Sequence, residues 1–370
     1  MSRAATLARL AAILVAAASL AAGIAGGLAR LGAVPAPPVA IAQHAALMIG
    51  GFLGTVISLE RAVALGQRAG YLAPLASAAG AIFLLAGWHS AAMACWIAAP
   101  LALLAVSLAI VRRQAMPHTA LLALASALWL AGNVAFAMGA AHGVLEAWFG
   151  FLVLTIAAER LELTRLLPRR PFAASSFRAI VALLLAAIAA SFVEEAAGRL
   201  VFGAALVALG AWLWRYDLAR RTLHAHGFAR FAAAALLAGY GWLCAGGVAW
   251  IALALGAAGA RDVALHAVAL GFVFSMILGH APIVIPAVAR ARVRFHPGFY
   301  APLVLLHASL FVRLVLAPAH PPWRAASGIG NAAAIALFAV LLVASLRTSR
   351  PVRAGRAIME GPNISGCRNS

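Results

Sequence analysis

The sequence predicts an all-α, polytopic integral membrane protein. Of its 370 residues, 65% are hydrophobic and only 10% are charged. The mean hydropathy is +1.00, far outside the range of a soluble domain. Its apolar residues also fall in long runs. A membrane-spanning helix takes ~20 predominantly apolar residues, and the chain divides into twelve such runs: 10–29, 39–59, 71–88, 90–111, 119–141, 143–158, 178–193, 199–214, 231–256, 263–288, 298–318 and 325–346. They leave little room for a soluble domain. Residues 1–348 therefore read as one transmembrane domain, and 349–370 as a polar, basic, disordered tail.

The first run follows Arg9 and is longer than the apolar core of a signal peptide, so it reads as a span. All 28 basic residues are arginine, and 23 of them lie in the N-terminus, the even-numbered loops and the tail. Arg30, Arg199, Arg261 and Arg324 lie in odd-numbered loops, and Arg313 lies inside a span. The positive-inside rule then puts both termini in the cytoplasm, which needs an even number of spans, and twelve meets that condition. The net charge of +19 follows from this topology. Because the arginines are spread over seven segments and form no single basic face, nucleic acid is not an expected partner. The expected partner is the lipid bilayer, and the expected location is the bacterial inner membrane. Cys95, Cys244 and Cys367 make neither a disulfide framework nor a CxxC motif.

Spans 2, 6 and 10 share a pattern. GFLGTVISLE (51–60), GFLVLTIAAE (150–159) and GFVFSMILGH (271–280) align without gaps, each ending in an ionisable residue nine positions after its glycine, and each has a histidine upstream: His44, His142 and His266. The period is four helices, which points to a pseudo-threefold arrangement of three four-helix units with Gly51, Gly150 and Gly271 allowing close approach at the centre.

Ionisable residues at membrane depth are costly and mark functional sites. Four of the eleven histidines fall within spans: His44, His266, His280 and His307. With a rise of ~1.5 Å per residue, His44 and His266 are level near the outer surface, and His280 and His307 are level nearer the inner one. Two imidazoles from different helices at equal depth suit axial ligation of a haem or two corners of a copper site. His266 and His280 are 14 residues apart, close to four α-helical turns, so one helix face is expected to serve both sites. Met48 and Met276, one turn from His44 and His280, could pack or serve as soft ligands. Glu60 and Glu159, each followed by arginine, read either as snorkelling residues at the cytoplasmic end or as proton carriers beside His280. Arg313 could neutralise a haem propionate or another anion.

These residues carry a resemblance. HAALMIGGF (44–52) is similar to the His-x-x-x-Met-x-x-Gly-Phe signature of NnrS proteins, haem- and copper-containing membrane proteins linked to nitric oxide metabolism. HAVALGFVFSMILGH (266–280) resembles the NnrS segment in which a histidine precedes a run ending in Met-Ile-Leu-Gly, and LLHASLFVRLV (305–315) resembles the stretch that follows. Twelve spans in a four-helix repeat, with histidines on spans 2 and 10, also look like the catalytic subunit of the haem-copper oxidases. The departures are the missing histidines of spans 6 and 7, which in those oxidases hold the active-site copper. The resemblance therefore implies an NnrS-like haem or copper protein, with nitric oxide or an anion as ligand and a role in nitrogen-oxide stress or respiration, and not an oxidase-type binuclear centre. The alternative is a proton-coupled small-molecule transporter in which Pro282 and Pro286 break span 10.

Overall fold

Every predicted run is helical in the computed structural model, which describes residues 3–164, 171–289 and 291–348. The tail 349–370, with Cys367, lies outside the described residues. The long helices among them are α1 (Arg3–Arg30), α2 (His44–Leu65), α3 (Arg68–Leu85), α4 (His89–Arg113), α5 (Pro117–Ala137), α6 (Val144–Thr164), α7 (Ala173–Ser191), α8 (Glu195–Tyr216), α9 (Gly227–Ala254), α10 (Ala260–Ile285), α11 (Pro297–Leu316) and α12 (Pro322–Ala344). Eleven are long and apolar enough to cross a membrane, which makes this a helical membrane protein. Helix α6 differs because its 21 residues include Glu146, Glu159, Arg160 and Glu162. It is also buried without interruption from residue 146 to 158. A helix buried all round is a core helix, and here protein enclosure replaces lipid contact. One three-residue antiparallel ladder, Ala291–Val293 with Leu346–Thr348, ties the chain after α10 to the end of α12.

Three contacts close a triangle between α2, α6 and α10. Arg61 of α2 bonds Glu159 of α6 at 3.0 Å, and Arg160 of α6 lies 3.3 Å from His280 of α10. Phe52 stacks on Phe274 with ring centroids 6.1 Å apart, joining α2 to α10. The three aligned glycines, however, do not face one another. A Cβ at Gly51 would meet Ser19 of α1 and Ala81 of α3, one at Gly150 would meet Ile188 of α7 and Leu128 of α5, and one at Gly271 would meet Trp242 of α9. Each glycine thus admits a neighbour from outside the triangle. The central contacts are made by the aromatic and ionisable residues that follow it.

Helices α2 and α10 carry the same distortion. Leu47–Gly54 and Ala267–Phe274 are π-helical over eight residues each, and Gly51 and Gly271 hold the same place in the two segments. The corresponding stretch of α6 is plain α-helix. A π-helix closes i→i+5 bonds and turns less per residue than an α-helix. Eight residues at roughly 20° less each displace the far end by roughly 150°. At its two ends α10 sets His266 beside His44 and His280 beside Arg160. Pro282 and Pro286 do not break the helix, which continues beyond the apolar span of α10 to Ala289.

A carbonyl within the π-helical stretch of α2 also accepts from a side chain. Ser77 Oγ of α3 donates to Gly50 O at 2.8 Å, and Trp96 Nε1 of α4 donates to Ser77 O at 3.1 Å. Asn133 of α5 donates to Trp96 O, and Trp148 Nε1 of α6 donates to Asn133 Oδ1 at 2.8 Å. This buried chain of polar groups ties α2 through α6 together, with each donor meeting an acceptor, as a low-dielectric interior requires.

Helices α8 and α9 approach closely, backbone to backbone. A Cβ on Gly203 would stand 2.5 Å from Gly247 O, and one on Gly247 would stand 2.6 Å from Gly203 O. Neither backbone atom can move aside without parting the helices. Gly203→Ala and Gly247→Ala should each lower stability by about 1–3 kcal/mol, read as a fall in the detergent-solubilised melting temperature. A variant at Gly241, where an added Cβ meets nothing within 4 Å, should melt as the wild type does.

Candidate functional site

The structure sorts the four span histidines by what holds their ring nitrogens. His307 on α11 accepts a hydrogen bond from Trp242 Nε1 at Nδ1, 2.9 Å away. The neutral ring then carries its hydrogen on Nε2, which faces Ser275 Oγ at 3.5 Å. Neither nitrogen keeps a free lone pair, so in this arrangement His307 is a hydrogen-bonding residue between helices and not a metal ligand. His280 donates from Nδ1 to Met276 O at 2.8 Å and presents Nε2 to Arg160 Nη1. Its lone pair is taken by a guanidinium. Level depth therefore does not bring His280 and His307 together: one joins the charged cluster of α6 and the other packs on α9. Met276 is buried, and its methyl group fills the space beside Gly239, so it packs rather than ligates.

The cluster around Arg160 is ionic. Arg160 holds Asp217 through two bonds, Nε to Oδ2 and Nη2 to Oδ1, both 2.8 Å. The side chains are 5% and 1% exposed, so this pair is fully desolvated. Arg61 bridges Glu60 at 2.8 Å and Glu159 at 3.0 Å, with the carboxylates 29% and 25% exposed. All three ionisable residues that end the aligned segments thus take part in linked contacts at one end of the bundle. Asp217, which follows α8, was invisible as a partner because its mate lies 57 positions earlier.

His44 and His266 do meet. Their ring centroids are 6.5 Å apart and the planes differ by 23°. His44 donates from Nδ1 to Gly23 O of α1 at 2.6 Å. His266 Nδ1 lies 2.9 Å from Asp262 Oδ1 and 3.1 Å from Asp262 O, one turn earlier on α10. In both rings the Nδ1 hydrogen is spent on a protein acceptor, which leaves the Nε2 lone pair for something else. That is the outer-shell pattern of a ligating histidine: a carbonyl or carboxylate fixes the tautomer and orients the ring. Arg313 Nη2 lies 3.4 and 3.2 Å from the two nitrogens of His266. A donor aimed along the Nε2 lone pair would sit about 2 Å farther from Nδ1, so Arg313 does not occupy it in line. The guanidinium instead grips Asp262 with bonds of 3.2 and 2.8 Å, which accounts for its charge without an external anion.

Both rings line a cavity of about 130 Å³ near the C-terminal end of α1 and the N-terminal ends of α2, α10 and α12, together with Met48, Arg313 and Asn331. The remaining wall is apolar. Met48, one turn after His44, has its sulfur against α1, where a Cβ on Gly23 would stand 2.6 Å from it. Among the described residues no group of three His, Cys, Asp or Glu side chains could hold a metal, so any metal here would rest on the two imidazoles and the thioether. Asp262 and Asn331 escaped sequence reasoning. The available signal was their rarity as polar residues inside apolar helices.

A family model covers residues 9–347. The chain belongs to the family described as a domain of unknown function, DUF8744. No curated protein and no solved structure matches it. Family membership thus assigns no activity, and the functional reading rests on the geometry above.

Proposed function

We propose that this chain is a multi-pass protein of the bacterial inner membrane that holds a copper ion between His44 and His266, with Met48 as a third, soft donor, and that it acts in nitrogen-oxide or respiratory metabolism as its NnrS-like segments suggest. The carrying observation is the pair of level, nearly parallel imidazoles whose Nδ1 atoms are both engaged. With metal–nitrogen bonds of ~2.0 Å and ring nitrogens about 1.1 Å from the centroid, two imidazoles on one metal have centroids roughly 6.2 Å apart in line and about 5.4 Å apart at the ~120° a third donor imposes; here they are 6.5 Å apart, so a small turn of the rings brings both onto one ion. Imidazole and thioether together suit copper.

A haem fits this space less well. The cavity of about 130 Å³ is close to an engineered one of ~150 Å³ that holds benzene and below the ~300–1,000 Å³ of drug-sized ligand pockets. A porphyrin between the rings would require α1 and α12 to part from α2 and α10. Metal analysis with an absorption spectrum of the purified protein separates the outcomes. Stoichiometric copper supports the proposal, a Soret band replaces copper with haem, and the absence of both after reconstitution leaves the proton-coupled transporter, with the Glu60, Glu159 and His280 cluster as its polar element.

Twelve spans in three four-helix units, with both termini cytoplasmic, complete the proposal. Support comes from the α2, α6 and α10 triangle and from the enclosure of α6 by the other helices. Reporter fusions in the loop between α6 and α7 and after α12 should both behave as cytoplasmic. A periplasmic reporter after α12 would remove one span and break the repeat.

A further inference from the structure

We infer that the turn between α8 and α9 forms a phosphate-binding cleft, at the opposite end of α10 from the two imidazoles and independent of the copper proposal. Arg215, Asp217, Arg220, Arg221 and His224 line a cavity of about 450 Å³ there, within the ~300–1,000 Å³ of small-ligand sites. The backbone of this turn is fixed from the core. Asp217 accepts from Arg160 through both oxygens at 2.8 Å and from the Ala219 amide at 2.6 Å. Thr222 Oγ1 donates to Ala219 O at 3.1 Å, and the amides of Arg221 and Leu223 donate to Leu218 O and Ala219 O at 2.9 and 3.1 Å. The buried ion pair thus holds in place the short helical stretch Ala219–Thr222, which carries Arg220 and Arg221.

The charge of the cleft is one-sided. Its single carboxylate is already neutralised by Arg160, whereas Arg220 and Arg221 are exposed and pair with no carboxylate among the described residues. Arg215 lies 5.4 Å from the centroid of the Tyr216 ring, a contact in which it keeps its charge. Three guanidiniums and an imidazole around one cavity call for an anion. Guanidinium forks match phosphate oxygens two at a time. A phosphate presents oxygens in several directions, so donors from different positions of the turn can share it, whereas a carboxylate presents two in one plane. Trp214, 46% exposed, immediately precedes Arg215 on α8, and tryptophan is enriched at headgroup level, where basic pockets between membrane helices take anionic headgroups. A soluble phosphorylated molecule offers the same group.

Short-chain lipids and inorganic phosphate test it on the full chain, purified in detergent and stripped of lipid. At physiological ionic strength, dihexanoyl phosphatidylglycerol should bind about 100-fold more tightly than dihexanoyl phosphatidylcholine, roughly fivefold for each of the three arginines. Arg220→Gln combined with Arg221→Gln should cut that preference about 25-fold. Arg112→Gln combined with Arg113→Gln, an exposed pair in the last turn of α4, should leave it within about twofold, because solvent and salt screen charges outside the cleft. Inorganic phosphate separates the two sources. Binding as tight as that of the anionic lipid, and lost in R220Q/R221Q, assigns the cleft to soluble phosphates; weaker binding assigns it to the headgroup. The inference is overturned if neither the anionic lipid nor phosphate binds, if the preference survives R220Q/R221Q, or if R112Q/R113Q reduces it equally. Should the double variant fail to fold, R221Q alone carries the test with a loss of about fivefold. Copper content plays no part in these readouts, so failure of either proposal is visible without the other.

Discussion

Asp217→Asn should lower the stability of the folded protein by about 3–5 kcal/mol, the largest single-residue loss expected in this molecule. The reason is desolvation. Arg160 and Asp217 are joined by two 2.8 Å bonds with side chains 5% and 1% exposed, so removing the negative charge leaves a buried guanidinium with neutral acceptors alone, among them the His280 nitrogen at 3.3 Å. The one oxygen that asparagine keeps must also serve the amide of Ala219, which donates to Asp217 Oδ1 in the turn after α8. Glu60→Gln provides the contrast. Its carboxylate shares Arg61 with Glu159 and is 29% exposed, so solvent screens it and the expected loss is about 0–1 kcal/mol. Removing both buried charges, with Arg160→Met and Asp217→Leu, should recover most of the loss, because a well-packed apolar pair is often as stable as the ion pair it replaces. Thermal unfolding in detergent reads all three. A D217N protein that melts like the wild type would mean that water reaches Arg160.

How much of this was legible in the sequence depends on range. The helices were legible because each is dictated locally by an apolar run of membrane length, and even α6, too charged to qualify as an apolar span, was found from its central segment. The meeting of His44 with His266 was also legible, since it needed only depth along two helices that the repeat relates. The pairing of His280 with His307 failed because depth carries no information about rotation. The π-helical stretch Ala267–Phe274 also departs from the uniform 3.6-residue period by which rotation would be read. The aligned glycines were found but assigned the wrong direction, because a missing side chain does not say which neighbour uses the space. Asp262 lay in plain sight four residues before His266, yet its role appears only once Arg313 arrives from α11.

His44→Ala and His266→Ala should each abolish stoichiometric copper, while His307→Ala and His280→Ala should leave the copper content unchanged. The argument is one of donor count. The cavity offers two imidazoles and one thioether, so losing either ring leaves a pair of donors from which copper should wash out during purification. His307 has no lone pair to give while Trp242 donates to it at 2.9 Å, and His280 is committed to Arg160 and Met276. Asp262→Asn should fall between these classes. Asparagine keeps the shape but weakens the hold on His266 Nδ1, and loss of an outer-shell partner typically lowers metal affinity by about 10–100-fold. D262N should therefore bind copper at saturating concentration and release it to a competing chelator that the wild type resists. Melting each variant without metal separates lost ligation from lost folding: H44A and H266A should unfold near the metal-free wild type, since the contacts they lose are single hydrogen bonds, to Gly23 O and to Asp262, each worth about 0.5–1.5 kcal/mol, or up to ~3 to a charged group. Full copper occupancy in H44A or H266A would move the centre elsewhere in the chain.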